Sequence, residues 1–365
     1  MNDTTESYKF YWLGGIINLL KTGRVEFTFE EIIDEMICDA WYSVTHYHLR
    51  LGTLDLSGNP QDLLERTINL LQKKSRLSSK AIKSEILKTI EINRQDIISY
   101  EKLIVRHVPY RILSKFLTEL SGNNKIWESK KRLIAYIAEV NQKSILPYII
   151  RDGVSLNKSI IVDNEWRNLI LDNYQVIQSW IAHKKIQYLQ NRNPNVPGLV
   201  NKLDADDERN RKLQKVRRLW TDIMDISDVR DIYTGKQLLK NAYDIDHFIP
   251  WSYVSHDELW NLSPADKWAN GSKNNRLPDW EKYFLGLCQN QYQMYSIVFK
   301  YPSIREDFER CRVDNLNSIW AQNSLYIEGN SYQRFSDVLE HHMRQVYEDA
   351  MIQGYGIWEV SDSTQ

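Results

Sequence analysis

Five residues in the last third of the chain have types and spacing suited to cutting a phosphodiester: Asp246 and His247 side by side, then Asn261, Asn270 and Lys273. Such hydrolysis needs a base that takes a proton from water near neutral pH, a task imidazole suits. It also needs positive charge against the phosphoryl and leaving oxygens, which a hard divalent cation supplies. Magnesium prefers oxygen ligands, keeps several of its waters and takes only one or two donors from a protein. The residues divide accordingly. Asp246 would bind Mg²⁺ or Mn²⁺ and His247 would activate water, provided a local twist brings both side chains of one strand to the site. Asn270 would add an amide oxygen as second metal ligand, and Asn261 would hold the intervening loop and the histidine strand by hydrogen bonds. Lys273 lies one helical turn beyond Asn270 and would touch a phosphate as a point charge. Arg276, which directly follows the helix that carries Asn270, is a further phosphate candidate.

These residues need elements to position them. Tyr243 to Pro250 alternates apolar and polar residues as a strand does, and Ile232 to Leu238 reads as a preceding strand and turn. Pro264 to Lys273 reads as a short helix, weakened near its end by Gly271. Upstream, Arg209, Arg211, Lys212, Lys215, Arg217 and Arg218 crowd together just after Asp206, Asp207 and Glu208. Such a run is either a solvated helix face or a phosphate-contacting helix. The chemistry that follows favours phosphate contact for Arg211, Lys215 and Arg218. His256, between the motif halves, is expected to be a solvated loop histidine. Trp251, Trp260 and Trp268 are expected to build a core rather than stack on bases.

The order Asp-His-x-x-Pro, Asn-Leu, Asn-x-x-Lys resembles the signature of HNH (ββα-metal) endonucleases, carried here by Asp246–Pro250, Asn261–Leu262 and Asn270–Lys273. The spacing of fourteen residues from His247 to Asn261, and nine more to Asn270, is similar to the HNH domain of the type II CRISPR RNA-guided nuclease. Tyr233–Lys236 resembles the turn that opens such domains, and Leu277–Pro278 their exit. The resemblance covers about fifty residues, from Ile232 to roughly Tyr283. It implies Asp246 and Asn270 as metal ligands, His247 as general base and Asn261 as the structural asparagine. Paired CxxC knuckles are lacking, so no structural zinc is expected and packing must hold the domain.

The rest of the chain reads as mainly α. Thr28 and Glu31 form a capping-box pattern before apolar Ile32, Ile33, Met36 and Ile37. Further helices are expected over 60–74, 79–92, 94–106, 128–141 and 163–191, with a loop at Gly122–Asn124. The stretch Ile149 to Val162 reads equally as a hairpin or a loop. Pro194 and Pro197 with Gly198 end the last of these helices and mark a domain boundary. The expected organisation is a helical recognition, regulatory or partner-binding domain over 1–195 and a nuclease domain over 196–365, its core at 230–285. The expected fold class is therefore mainly α with a small α+β part. Beyond the core, Ile319, Trp320, Leu325, Val338, Leu339 and Val346 are expected to be buried in C-terminal helices.

Among 365 residues, 42% apolar and 26% charged fractions are ordinary for a globular protein. A net charge of −1 means that attraction to phosphates must come from local clusters. Cys38, Cys288 and Cys311 lie far apart, against a disulfide framework, and a cytoplasmic setting is expected. The apolar run Trp12 to Leu20 is too short to span a bilayer, so no membrane partner is expected. The resemblance implies a DNA endonuclease, by analogy a restriction or anti-phage defence effector. An RNA-directed or nicking nuclease and a catalytically silent binding subunit are the alternatives. One such site cuts one strand, so breaking a duplex would call for a homodimer or a partner subunit.

Overall fold

Thr28 and Glu31 start a helix as their spacing predicts. The Thr28 hydroxyl accepts from the Glu31 backbone N–H at 3.1 Å, and the Glu31 carboxylate accepts from the Thr28 N–H at 2.8 Å. The computed structural model describes residues 7–113, 116–117, 126, 129–143, 146–203 and 212–360. By its internal contacts the chain divides into two units, Met1–Pro194 and Asn195–Gln365. The expected loop at Gly122–Asn124 lies outside the described residues, as do Asp206 to Arg211.

In the first unit, α1 (Tyr8–Leu20) is apolar almost all round and buries Phe10, Tyr11, Trp12, Ile16 and Ile17 against α2 (Phe29–Thr45). Gly15 lets the two helices close up, because a Cβ there would meet the Ile32 carbonyl oxygen at 3.1 Å. Next come α3 (Leu63–Ser75) and α4 (Lys83–Ile104). Two helices were expected where α4 runs as one, since nothing between 92 and 94 breaks it. Arg94 stitches it down, with bonds of 2.7 Å to both Asp34 and the buried Glu101. After α5 (Val108–Arg111) and α6 (Lys130–Lys143), the ambiguous stretch forms a hairpin, β2 (Tyr148–Arg151) and β3 (Ser159–Val162). With β1 (Glu26–Thr28) it makes a three-stranded antiparallel sheet in the order β1-β3-β2. The single helix expected over 163–191 is two, α7 (Asn164–Asp172) and α8 (Tyr174–Arg192), divided at Asn173.

The second unit begins with α9 (Leu199–Lys202) and α10 (Gln214–Met224). The small α+β part follows: β4 (Tyr243–His247), α11 (Trp251–Val254), β5 (Leu262–Asp266) and α12 (Lys267–Lys273). β4 and β5 are antiparallel, with Asp246 opposite Ser263 and His247 opposite Leu262. This corrects two expectations. Ile232–Leu238 is a turn flanked by the single bridge Arg230↔Gln237, and the partner strand is Leu262–Asp266. Pro264 therefore lies in a strand, opposite Ile245, where a two-stranded ribbon tolerates its missing N–H. The short β6 (Leu277–Pro278) leads into α13 (Trp280–Lys300), then α14 (Pro302–Asn315) and α15 (Tyr332–Ile352). The final β7 (Ile357–Trp358) returns parallel to β6. Aromatic packing closes this unit: Trp280 stacks on Phe284 at 4.0 Å, and both lie edge-on to Phe248. Leu325, Val338 and Leu339 are buried as expected, whereas Ile319 is exposed. The chain is thus mainly α with a small α+β part in its C-terminal half, as its sequence pattern implies. Among the described residues no helix is long and apolar enough to cross a membrane.

Candidate active site

β5 runs straight into α12, and Asp266 makes the turn by accepting from the Trp268 and Ala269 N–H groups at 2.9 and 3.1 Å. α12 packs on both strands, which brings its inner face to β4. From that helix Lys273, only 1% exposed, sends its ammonium inward. It donates to the His247 carbonyl oxygen at 2.9 Å and lies 3.2 Å from Asp246 Oδ1. The expected phosphate contact by Lys273 is therefore corrected: its charge is spent on the Asp246 carboxylate and on the backbone of the histidine strand.

The other oxygen of Asp246 accepts from the Tyr233 hydroxyl at 2.5 Å. Tyr233 is delivered by the turn that precedes β4. There Asp231 accepts from the Thr234 N–H at 2.9 Å and its hydroxyl at 2.6 Å, while Gly235 supplies φ +69°. Burial pushes the Asp231 carboxyl above its usual range, against these hydrogen bonds. Burial, and then the charge of Asp246, holds the Tyr233 phenol well above its ordinary value, so it stays a donor.

Asn261 is fully buried and grips one backbone residue with both ends of its amide. Its Oδ1 accepts from the Ile249 N–H at 2.8 Å and its Nδ2 donates to the Ile249 carbonyl at 2.8 Å. Its own carbonyl accepts from the Phe248 N–H at 2.9 Å. Three hydrogen bonds thus fasten the two residues after His247. Nearby, the buried Glu258 accepts from the backbone of Asn317 and Ser318 at 2.7 and 3.0 Å, and from Trp260 Nε1 at 3.2 Å.

The His247 ring meets Asp257, the residue next to His256 in the loop between the motif halves. His247 Nε2 lies 2.9 Å from Asp257 Oδ1, and both side chains are largely buried. The second oxygen of Asp257 accepts from the Lys212 backbone N–H at 2.7 Å. Its carbonyl accepts from Asn315 Nδ2 at 2.8 Å. The only signal in the sequence was an acidic residue ten positions after His247, which is common in any charged loop. His256 is also corrected. It packs edge-on against Trp260, its Nδ1 is buried without a hydrogen-bond partner, and burial carries its pKa down to about 4. Trp251 and Trp260 are core residues, whereas Trp268 on α12 is 49% exposed.

Of the basic run, Lys212 reaches this site through its backbone N–H on Asp257. α10 buries Val216, Leu219, Trp220 and Ile223 and packs on α14. Its Lys215 then pairs with Asp314 at 2.6 Å, and its Arg218 with Asp307 at 3.3 Å. Both side chains stay largely exposed beside these acidic partners, Lys215 by 46% and Arg218 by 65%. Arg211 lies outside the described residues. Arg276 is exposed past the end of α12 and folds back on the Ser272 carbonyl at 2.5 Å.

Among the described residues no three His, Cys, Asp or Glu side chains cluster as a metal cage. A metal at this site could rest on Asp246 and Asn270. The Asp246 carboxylate keeps acceptor capacity beyond its two partners. The half-buried Asn270 amide makes no hydrogen bond among the described residues. One carboxylate and one amide are hard oxygen donors of the kind Mg²⁺ and Mn²⁺ take, with water and substrate completing the shell.

Residues 231–279 match the family model of HNH endonucleases. No curated protein and no solved structure matches the chain. The match covers the turn, β4, β5 and α12, and with them every residue of the proposed chemistry except Lys212 and Asn315 around Asp257.

Proposed function

We propose that this chain, which carries an HNH-family nuclease domain and so takes a nucleic-acid substrate, is a divalent-metal-dependent endonuclease acting on DNA. The observation that carries this reading is the pairing of β4 with β5 and α12. Asp246 and His247 stand at the end of β4 and Asn270 on α12, which packs on that strand, and this supports a shared site.

His247 takes a proton from water as the water oxygen bonds to phosphorus. The bridging P–O bond then breaks, and the leaving oxygen takes a proton from solvent. Bound by Asp246 and Asn270, Mg²⁺ or Mn²⁺ would neutralise charge on the phosphoryl and leaving oxygens. Lys273 and Tyr233 hold the Asp246 carboxylate from two sides, which fixes its direction without adding ligands. Asn261 keeps the strand end in place behind the base. Arg276, exposed beyond α12, is the candidate phosphate contact. The first unit would serve target recognition, regulation or partner binding. A restriction or anti-phage role rests on analogy with other HNH proteins, and a double-strand break would call for two copies or a partner subunit.

The test is incubation of supercoiled plasmid, linear duplex and RNA with the wild-type chain and with His247→Ala, in Mg²⁺, Mn²⁺ and EDTA. Cleavage of DNA by wild type with metal, and its loss in the variant, is the expected result. Cleavage of RNA alone would replace the substrate. Cleavage that survives His247→Ala or EDTA would refute the mechanism.

A further inference from the structure

We propose that Asp257 is a positioning residue for His247, holding the imidazole in the tautomer that leaves Nδ1 to take the proton from water; this rests on the nuclease reading above. Asp257 Oδ1 lies 2.9 Å from His247 Nε2. An ionised carboxylate only accepts, so Nε2 must carry the proton and Nδ1 the lone pair. The contact is largely buried: the His247 and Asp257 side chains keep only 6% and 9% of their surface. A hydrogen bond to a charged group in such a place is short, directional and strong.

Asp257 is itself held from two further directions. Its Oδ2 accepts from the Lys212 N–H at 2.7 Å, and its carbonyl accepts from Asn315 Nδ2 at 2.8 Å. Lys212 precedes α10 and Asn315 ends α14, so elements outside the matched family segment set the carboxylate that sets the base. Thus the base is oriented by a carboxylate from the loop between the motif halves, while the metal-side carboxylate, Asp246, is the preceding residue on the strand.

The Lys212 N–H makes the role separable from simple support. A backbone N–H can only donate, so it demands an acceptor at the Oδ2 position. In Asp257→Asn the amide oxygen must turn to Lys212, which puts the NH₂ group against His247 Nε2. Nε2 must then accept, and the proton moves to Nδ1, the nitrogen meant to take it from water. The near-isosteric variant is thereby locked in the wrong tautomer. Asp257→Ala loses the orienting contact but sets no donor against Nε2.

Two measurements test this on the full chain. The first is imidazole nitrogen NMR of ¹⁵N-histidine-labelled protein without metal, at about pH 9 where a histidine is neutral, with His247 assigned by its loss in His247→Ala. Wild type should show the proton on Nε2 and Asp257→Asn the proton on Nδ1. The second is kinetics with plasmid and Mg²⁺. Asp257→Asn should lower kcat by about 10²–10⁴-fold with KM changed little, and Asp257→Ala should retain more activity than Asp257→Asn. A wild-type His247 protonated on Nδ1 would overturn the proposal, as would an Asp257→Asn enzyme within twofold of wild-type kcat. If the wild-type chain cuts no nucleic acid, the nuclease reading fails, while the nitrogen spectra still decide the tautomer.

Discussion

Replacing Asn261 by alanine should destabilise the second unit by about 2–6 kcal/mol. The figure follows from the two groups the change would strand. The Ile249 N–H and carbonyl each bond to the Asn261 amide at 2.8 Å, and Asn261 has no exposed surface through which water could take over. A buried backbone donor or acceptor left unpaired costs about 1–3 kcal/mol. For a unit of this size, each kcal/mol moves the melting temperature by roughly 2–4 °C. The expected fall is therefore on the order of 5–20 °C, read as the change in tryptophan fluorescence or circular dichroism on heating the full chain. Asn261→Asp sharpens the test. It sets a carboxylate oxygen against the Ile249 carbonyl, so its folded-state pKa must lie above the unfolded value of about 3.9. The variant then keeps its stability below that pH and loses it as pH rises, whereas wild type shows no such loss from this position. An alanine variant melting within 2 °C of wild type would refute the reasoning, as would an aspartate variant whose deficit does not grow with pH.

Two further outcomes follow from the site and its surroundings. Tyr233→Phe removes the 2.5 Å bond to Asp246 and leaves Lys273 as the one partner fixing that carboxylate. The Mg²⁺ concentration for half-maximal cleavage should rise about 10–100-fold, and a titration indistinguishable from wild type would exclude this role for Tyr233. Lys202, buried beneath the loop and bonded to the Tyr253 carbonyl at 2.6 Å, has its pKa lowered by burial to about 7. The unfolded chain binds the extra proton between pH 7 and about 10.4, so folding gains stability as pH rises through that window. Wild type should gain on Lys202→Met in melting temperature from pH 7 towards 10, and a constant gap would show that Lys202 does not titrate there.

The segment that matches the HNH family model was legible because its residue types and spacing lie within one short stretch, and local pattern is what a sequence displays best. The cap at Thr28 and Glu31 was legible for the same reason, since both partners lie within one helical turn. The strand at Leu262–Asp266 was not: Pro264 argues against it, and only pairing with β4, which sets Pro264 opposite Ile245, makes it a strand. Trp268 was expected inside with its neighbours but lies outside, because one residue along a helix turns a side chain by about a hundred degrees.

The sequence by itself determined the HNH-like order of an Asp-His pair and two asparagines that the family model matches. Only the tertiary structure decided what each group must satisfy. It spent the charge of Lys273 on Asp246, set Lys215 and Arg218 beside acidic side chains of α14, and put Asp257 against the His247 ring. The physical reason is that a buried polar group must find a partner, and packing rather than chain order chooses which one.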